Sequence, residues 1–211
     1  MTEPWLERWQ DGNIGWHEAQ GNSSLQKYWT ATGKRVLVPL CGKTQDLIWL
    51  ERQGNQVVGV ELSEIAVKAF FDENDIRYSI AEGALTAYVA EEHSITIYCG
   101  DFFEFTEGPF DAHYDRGALI ALPANMRQAY AEHMRTLLDA DAAQMIICLE
   151  YDDSIATGPP FSVPAHEILA FWPKLERVAA YDDIENGPPK FREAGLNEMI
   201  EVVWQTEDGG Q

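Results

Sequence analysis

Strand-like apolar runs alternate with helix-like segments along most of the chain, and this alternation constrains the fold more than any other feature. The runs cover residues 35–40, 56–60, 94–99, 110–114 and 144–149. Helices are predicted between several of these runs, where Thr44, Ser63 and Pro123 are suited to helix starts. This order predicts βαβ units, and therefore a mainly parallel α/β sheet with helices on both faces.

Two further strand-like runs, 177–181 and 199–204, are joined by a turn-rich connection without a helical pattern. They predict an antiparallel edge and bring the predicted strands to seven. Segment 75–93 is predicted to hold a helix over 85–90 or to form a lid. A chain of 211 residues without an internal repeat or a long linker suits one domain, 1–211.

The charge balance narrows the range of partners. The chain has 15 Lys and Arg residues against 35 Asp and Glu residues, which gives a net charge of −20 at pH 7. A field of this sign repels phosphate backbones and anionic lipid surfaces, so binding to nucleic acid or to a membrane is disfavoured. Most of the acidic residues are expected to form a solvated surface.

The sequence also indicates a compartment. The first residues lack the basic and apolar regions of a secretory signal, and no run of about 18 apolar residues is present. The three cysteines, Cys41, Cys99 and Cys148, do not form a disulfide framework in a chain this long. Zinc-type spacing of Cys and His does not occur, so no metal site is predicted and a cytoplasmic protein is expected.

In open sheets of this kind, a ligand binds beyond the carboxyl ends of the strands. The first strand ends at Leu40-Cys41-Gly42, which lacks the glycine-rich loop that holds a pyrophosphate. The lack of this loop argues against a dinucleotide, and hence against a dehydrogenase of the Rossmann type. A ligand without a pyrophosphate fits the segment better.

Two acidic residues at strand ends suit an adenosine group. Glu61 follows Cys41 by 20 positions, a separation at which a carboxylate commonly accepts hydrogen bonds from ribose hydroxyls. A carboxylate at a helix start is the alternative interpretation of Glu61. Asp101, which Phe102 follows, could accept a hydrogen bond from an adenine amino group. The alternative interpretation of Asp101 is an ordinary turn residue. An adenosine pocket without a pyrophosphate clamp fits S-adenosylmethionine, whose positive sulfonium an acidic protein does not repel.

One basic residue and several aromatic residues extend this candidate site. Arg116 follows the fourth strand and suits a bidentate contact with an anionic substrate or the cofactor carboxylate, unless it pairs with Asp115. Trp9 and Trp16 belong to an aromatic-rich segment over 1–33. This segment either covers the cleft as an N-terminal helical lid or packs its tryptophans onto the domain.

These segments are similar to the motifs of the thiopurine S-methyltransferase family, and especially to those of its bacterial members. The similarity extends over nearly the whole chain in the family's order, so the ordered set is far more specific than any single motif. The matching segments are 8–9, 14–17, 36–43, 57–64, 98–103, 114–122, 158–161 and 191–195.

The resemblance implies a class I methyltransferase fold, which is a Rossmann-like, mostly parallel sheet of seven strands with one antiparallel strand. It also implies S-adenosylmethionine as cofactor. The implied cofactor contacts are Trp9, Leu40, Glu61, Asp101, Phe102 and Arg116. Arg116 is implied on the substrate side as well, and it is the one catalytic residue that we predict.

One late loop departs from the family's pattern. Where the family often has an arginine, five positions before the matched Gly195, this chain has Lys190. Arg192 is a candidate to replace that arginine, because lysine lacks the planar fork with which arginine holds an anion. Trp16, Lys190 and Arg192 are therefore the predicted substrate contacts.

The function implied by the resemblance is direct, in-line methyl transfer from S-adenosylmethionine to aromatic or heterocyclic thiols such as thiopurines. Selenium and tellurium compounds are further candidates, since bacterial members of the family are linked to selenium methylation and tellurite resistance. A thiolate is a good nucleophile, so no protein base is assigned. The alternative is a catalytically silent protein that binds S-adenosylmethionine or a chalcogen compound. A monomer is expected.

Overall fold

The structure is a computed structural model that describes residues 3–13 and 18–206. The chain divides into two compact units, 1–112 and 113–211. In the first unit the elements are α1 (Glu3–Gln10), α2 (Ser23–Tyr28), β1 (Arg35–Pro39), α3 (Asp46–Arg52), β2 (Gln56–Glu61), α4 (Glu64–Glu73), β3 (Tyr78–Ala81), β4 (Thr86–Ala90), β5 (Ile95–Cys99) and a short 3-10 helix (Phe102–Glu104). Strand β6 (Phe110–Arg116) begins in the first unit and ends in the second.

The second unit continues from β6. Its elements are a 3-10 helix (Leu119–Ala121), α5 (Ala124–Leu137), β7 (Leu138–Glu150), α6 (Ala165–Phe171), β8 (Leu175–Asp182), α7 (Pro189–Glu193) and β9 (Ile200–Thr206). In the part of the chain that the structure describes, no helix is both long enough and apolar enough to cross a bilayer.

The strands of the first unit lie in the order β3-β4-β5-β2-β1. Strands β1, β2 and β5 are parallel, with Leu37 opposite Val58 and Val58 opposite Thr96. Nearly all side chains of β1 and β2 are buried, as expected for parallel strands covered on both faces. The predicted parallel core is confirmed, and its strands end together at Pro39, Glu61 and Cys99.

Segment 75–93 forms a β-hairpin, so the helix predicted over 85–90 is wrong. Strands β3 and β4 pair antiparallel, and β4 pairs antiparallel with β5. Thr86, Tyr88 and Val89 favour a strand, and a short apolar run cannot be assigned by periodicity alone. The hairpin adds two strands to the seven predicted, which gives nine in the described residues.

The N-terminal helices are held to the first unit by contacts with α3 and α4. Helix α1 packs against α4. Asn22 caps α2 by accepting a hydrogen bond from the Leu25 N–H at 2.9 Å. The Asn22 N–H donates to the buried carboxylate of Asp46 in α3 at 2.7 Å. Helices are therefore present where the lid over 1–33 is predicted, and covering of a ligand by them stays a prediction.

The last strands of the second unit confirm the predicted antiparallel edge. Strand β9 pairs antiparallel with both β7 and β8. Strand β7 begins at Leu138, six residues before the predicted start at Gln144. Its first part is largely exposed, so the apolar pattern used for the prediction marks only the buried part of the strand.

Candidate functional site

A buried carboxylate joins the ends of β1 and β2 in the first unit. Glu61, the last residue of β2, is only 7% exposed. Its Oε2 accepts a hydrogen bond from the Gly42 N–H at 2.7 Å, and its Oε1 accepts one from the Ser63 N–H at 2.8 Å. Burial raises the pKa of Glu61, while these N–H groups act in the opposite direction.

Glu61 retains the acceptor capacity that a ribose would need. A carboxylate offers about four acceptor positions; the Gly42 and Ser63 bonds occupy one on each oxygen, and the Leu62 backbone is a further donor to the group. Ser63, rather than Glu61, caps α4, since its Oγ accepts from the Ala66 N–H at 3.4 Å. The residues present at this strand end therefore fit a nucleoside with two adjacent hydroxyls.

The turn after β1 brings Trp9 close to this carboxylate. Leu40 and Gly42 both have left-handed backbone conformations, with φ of 47° and 55°. A Cβ added to Gly42 would lie 3.2 Å from Cζ2 of Trp9, so the indole packs directly on the glycine. Leu40 is half-buried and Trp9 is 8% exposed. Trp16, the other predicted tryptophan contact, lies outside the described residues.

The segment after β5 lies beside Glu61 as well. The Gly100 N–H donates to the Glu61 carbonyl at 2.9 Å. Asp101 Oδ1 accepts from the Phe103 N–H at 2.9 Å and so caps the 3-10 helix, which is the turn role considered above. Phe102 is buried, with its ring centroid 6.1 Å from that of Phe103. Adenine contacts of Asp101 and Phe102 stay predictions.

In the second unit, Arg116 is the last residue of β6 and is half-buried. The preceding Asp115 is fully buried, at 0% exposure. One of its oxygens accepts from the N–H groups of Ala118 and Leu119, at 3.1 and 3.2 Å. The other accepts from the Tyr130 hydroxyl at 2.6 Å. Asp115 is therefore a structural anchor of the turn that follows Arg116.

The two predicted substrate-binding cations of the late loop both bind backbone carbonyls. Lys190 Nζ donates to the carbonyls of Pro159 and Thr157, at 2.9 and 3.2 Å. Arg192 Nη1 donates to the carbonyls of Ile184 and Glu185. Each side chain thus stabilises a loop of the second unit, and contact with a substrate stays a prediction for both.

Sequence reasoning missed a buried arginine in the second unit. Arg127, in α5, is 3% exposed and forms an ion pair with Glu167 at 2.7 Å. Its Nε and Nη2 donate to the carbonyls of Leu122 and Ser162, both at 3.0 Å. These partners lie 5 to 40 positions away in sequence, with no motif that connects them. Arg127 is therefore a structural residue rather than a further anion-binding group.

Asp115 gives the stability of the protein a defined pH dependence. Burial raises the pKa of its carboxyl from 3.8 to about 6, despite the opposing hydrogen bonds from Tyr130, Leu119 and Ala118. Between these values the native state binds more protons than the unfolded state, so the free energy of unfolding falls as pH rises. Asp115→Asn removes this contribution.

Urea unfolding between pH 4 and 7 would measure the effect by comparing the wild type with Asp115→Asn. We expect the free energy of unfolding of the wild type to fall relative to the variant by roughly 3 kcal/mol as pH rises. Parallel pH profiles for the two proteins would contradict the assigned environment of Asp115.

Comparison with known proteins identifies the family. The family model for thiopurine S-methyltransferase matches residues 1–209. The chain is 42% identical to the thiopurine S-methyltransferase of Pseudomonas syringae pv. syringae, over 98% of this chain and 97% of that relative. It is 43% identical to the thiopurine S-methyltransferase of Bordetella petrii, over 99% of each chain.

Similar solved structures confirm the class I methyltransferase fold, and the residues that the structure describes form nine strands rather than seven. One is the Burkholderia thailandensis 1,6-didemethyltoxoflavin-N1-methyltransferase with S-adenosylhomocysteine bound, at a TM-score of 0.63, 17% identity and coverage of 98% of this chain and 87% of that one. Another is a TehB-like methyltransferase from Corynebacterium glutamicum, at a TM-score of 0.55, 17% identity and coverage of 98% of both chains. The sequence relatives and the fold together show that this chain belongs to the thiopurine S-methyltransferase family and that its methyl donor is S-adenosylmethionine.

Proposed function

We propose that this protein methylates the sulfur of aromatic or heterocyclic thiols, with thiopurines as one such class. The observation that carries the proposal is the buried Glu61 carboxylate, which meets the Gly42 and Ser63 N–H groups and retains acceptor positions for a ribose. The names of the sequence relatives support sulfur as the acceptor atom.

The predicted cofactor-binding residues divide the parts of the cofactor between them in this proposal. S-adenosylmethionine, when bound, supplies a methyl group on a positively charged sulfur. Glu61 holds the ribose hydroxyls, and Trp9 and Leu40 pack on the cofactor. Asp101, with Phe102, contacts the adenine. Arg116 holds the cofactor carboxylate or an anionic group of the substrate through its planar guanidinium.

We propose that the methyl group passes directly to the substrate thiolate. The substrate thiolate would form the new bond to the methyl carbon, and the electron pair of the broken sulfonium bond would remain on the donor sulfur. Alignment and exclusion of water supply the rate enhancement. Cys41 is no nucleophile here, because burial and the nearby Glu61 raise its thiol pKa well above the ordinary value.

A matched set of methyl acceptors tests whether sulfur is the atom that the protein methylates. Purified protein and methyl-labelled S-adenosylmethionine are mixed separately with an aromatic thiol, the corresponding selenol, phenol and aniline, and tellurite. We expect transfer to the thiol and the selenol, because both are ionised and strongly nucleophilic near pH 7. Faster transfer to the phenol or the aniline would contradict the proposal, and binding without transfer to any acceptor would support the silent alternative.

Substitution of Lys190 tests whether its side chain contacts the substrate or only supports the loop to which it is bonded. Its Nζ donates to the carbonyls of Thr157 and Pro159, so a substitution removes these loop contacts together with the charge. We expect Lys190→Met to raise KM about tenfold for a carboxylated aromatic thiol, by loss of one charge-assisted contact. The KM for the uncharged parent thiol should change much less.

The matched variant is Arg192→Met, which removes the other predicted cation from the same helix, α7. If Lys190→Met changes KM equally for the charged and the uncharged thiol, Lys190 acts only through the loop. A selective effect of Arg192→Met with none for Lys190→Met would assign the substrate contact to Arg192.

We also propose that the chain works as a single-domain monomer in the cytoplasm. In support, Cys41, Cys99 and Cys148 all carry free thiols. Sedimentation equilibrium would test the monomer, and coincident urea unfolding by two spectroscopic probes would test the single domain.

A further inference from the structure

One buried carboxylate fixes the turn that carries Arg116. Asp115 immediately precedes the arginine, and its Oδ1 is bound to the backbone N–H groups of Ala118 and Leu119 beyond it. Between them Gly117 has φ of 107°, a conformation that L side chains rarely adopt. The backbone is therefore tied on both sides of Arg116.

The second oxygen of this carboxylate connects the turn to helix α5. Tyr130 is fully buried, and its hydroxyl donates to Asp115 Oδ2 at 2.6 Å. Its ring packs edge-on against Trp172, with 6.4 Å between ring centroids. One turn earlier on the same helix, Arg127 is held by three hydrogen bonds, so α5 provides a fixed support for the carboxylate.

We propose that Asp115 and Tyr130 are positioning residues for methyl transfer. Tyr130 holds the Asp115 carboxylate, and the carboxylate holds the turn in the conformation that presents Arg116 to its ligand. This inference rests on the proposed function, which gives Arg116 a ligand to hold. Both side chains are fully buried, so we assign them to act through Arg116 rather than by contact with substrate or cofactor.

A double-mutant cycle tests whether Tyr130 affects methyl transfer through Arg116. Tyr130→Phe removes the hydroxyl and keeps the ring. We expect it to lower kcat/KM about tenfold in the wild type and less than twofold in an Arg116→Ala background. A loss of the same size in both backgrounds would overturn the proposal, because a general loss of stability acts independently of Arg116.

Tyr88→Phe is the matched control for loss of a tyrosine hydroxyl that donates to a carboxylate. Tyr88 is also buried, and its hydroxyl donates to the Glu64 carboxylate in the first unit. We expect its effect on kcat/KM to be below twofold in both backgrounds. If Tyr88→Phe instead lowered kcat/KM tenfold in the wild type and had no effect in the Arg116→Ala background, the cycle would not be specific for the turn after β6. That result would overturn the positioning role of Asp115 and Tyr130.

Amide hydrogen exchange supplies a measurement that does not depend on activity. In the ligand-free protein, Asp115→Ala should lower the protection of the Ala118 and Leu119 amides at least tenfold, while Asp115→Asn keeps most of it. Unchanged protection in Asp115→Ala would overturn the anchoring role. If the wild type transfers no methyl group, the proposed function fails while the exchange result still decides whether Asp115 anchors the turn.

Discussion

Arg116→Ala is expected to lower kcat/KM for methyl transfer by about 100-fold or more, through loss of a bidentate, charge-assisted contact at the site. Arg116 ends β6 and is only half-buried, so truncation should change the free energy of unfolding by about 1 kcal/mol or less. Arg116→Lys should give an intermediate rate, because lysine keeps the charge and loses the fork.

Initial rates with labelled S-adenosylmethionine, combined with urea unfolding, measure both quantities for each variant. Arg135→Ala is the matched control, since Arg135 is an exposed arginine whose Nη2 donates to the Phe171 carbonyl at 3.0 Å. The control should keep kcat/KM within a factor of about two. Full kcat/KM in Arg116→Ala would remove Arg116 from the site.

Glu61→Ala should weaken S-adenosylmethionine binding by about 100-fold, the loss expected when a carboxylate no longer accepts two hydroxyl hydrogen bonds. The same change leaves the Gly42 and Ser63 N–H groups without their acceptor. We therefore also expect a fall of about 1–3 kcal/mol in the free energy of unfolding. Calorimetric titration measures the affinity, and urea unfolding measures the stability.

Glu61→Gln separates the two effects. The amide keeps the volume of the side chain and one oxygen that can accept from a backbone N–H, so the turn is disturbed less than in Glu61→Ala, even though the NH₂ group then faces the other backbone donor. Asp72→Asn removes one acidic charge from an exposed position of α4 and serves as the charge control. Unchanged affinity in both Glu61 variants would exclude Glu61 from the ribose site.

The parallel core and several helix ends could be predicted because their causes are local in sequence. Buried parallel strands are apolar on both faces, so β1 and β2 appear as nearly continuous apolar runs. Ser63 caps α4 with its own side chain, and Pro164 directly precedes α6. The spacing between Cys41 and Glu61 likewise follows from one βαβ unit.

The features that could not be predicted depend on contacts between distant parts of the chain. The run 86–90 becomes a strand because it pairs with β5, and its own periodicity does not show that pairing. The carbonyl partners of Lys190 lie 31 and 33 positions earlier in the sequence, and no motif connects them with the lysine. The bond between Asp115 and Tyr130 joins a strand end to a helix interior, with no signature in the sequence.

The central claim is that the chain transfers a methyl group from S-adenosylmethionine to sulfur. The most direct measurement mixes purified protein with methyl-labelled S-adenosylmethionine and one aromatic thiol, and quantifies both products by mass spectrometry. We predict labelled methyl thioether and S-adenosylhomocysteine in equal amounts over many turnovers, with the label on sulfur. Saturable binding of S-adenosylmethionine without thioether for this thiol or any other chalcogen acceptor would contradict the claim and identify a binding protein instead.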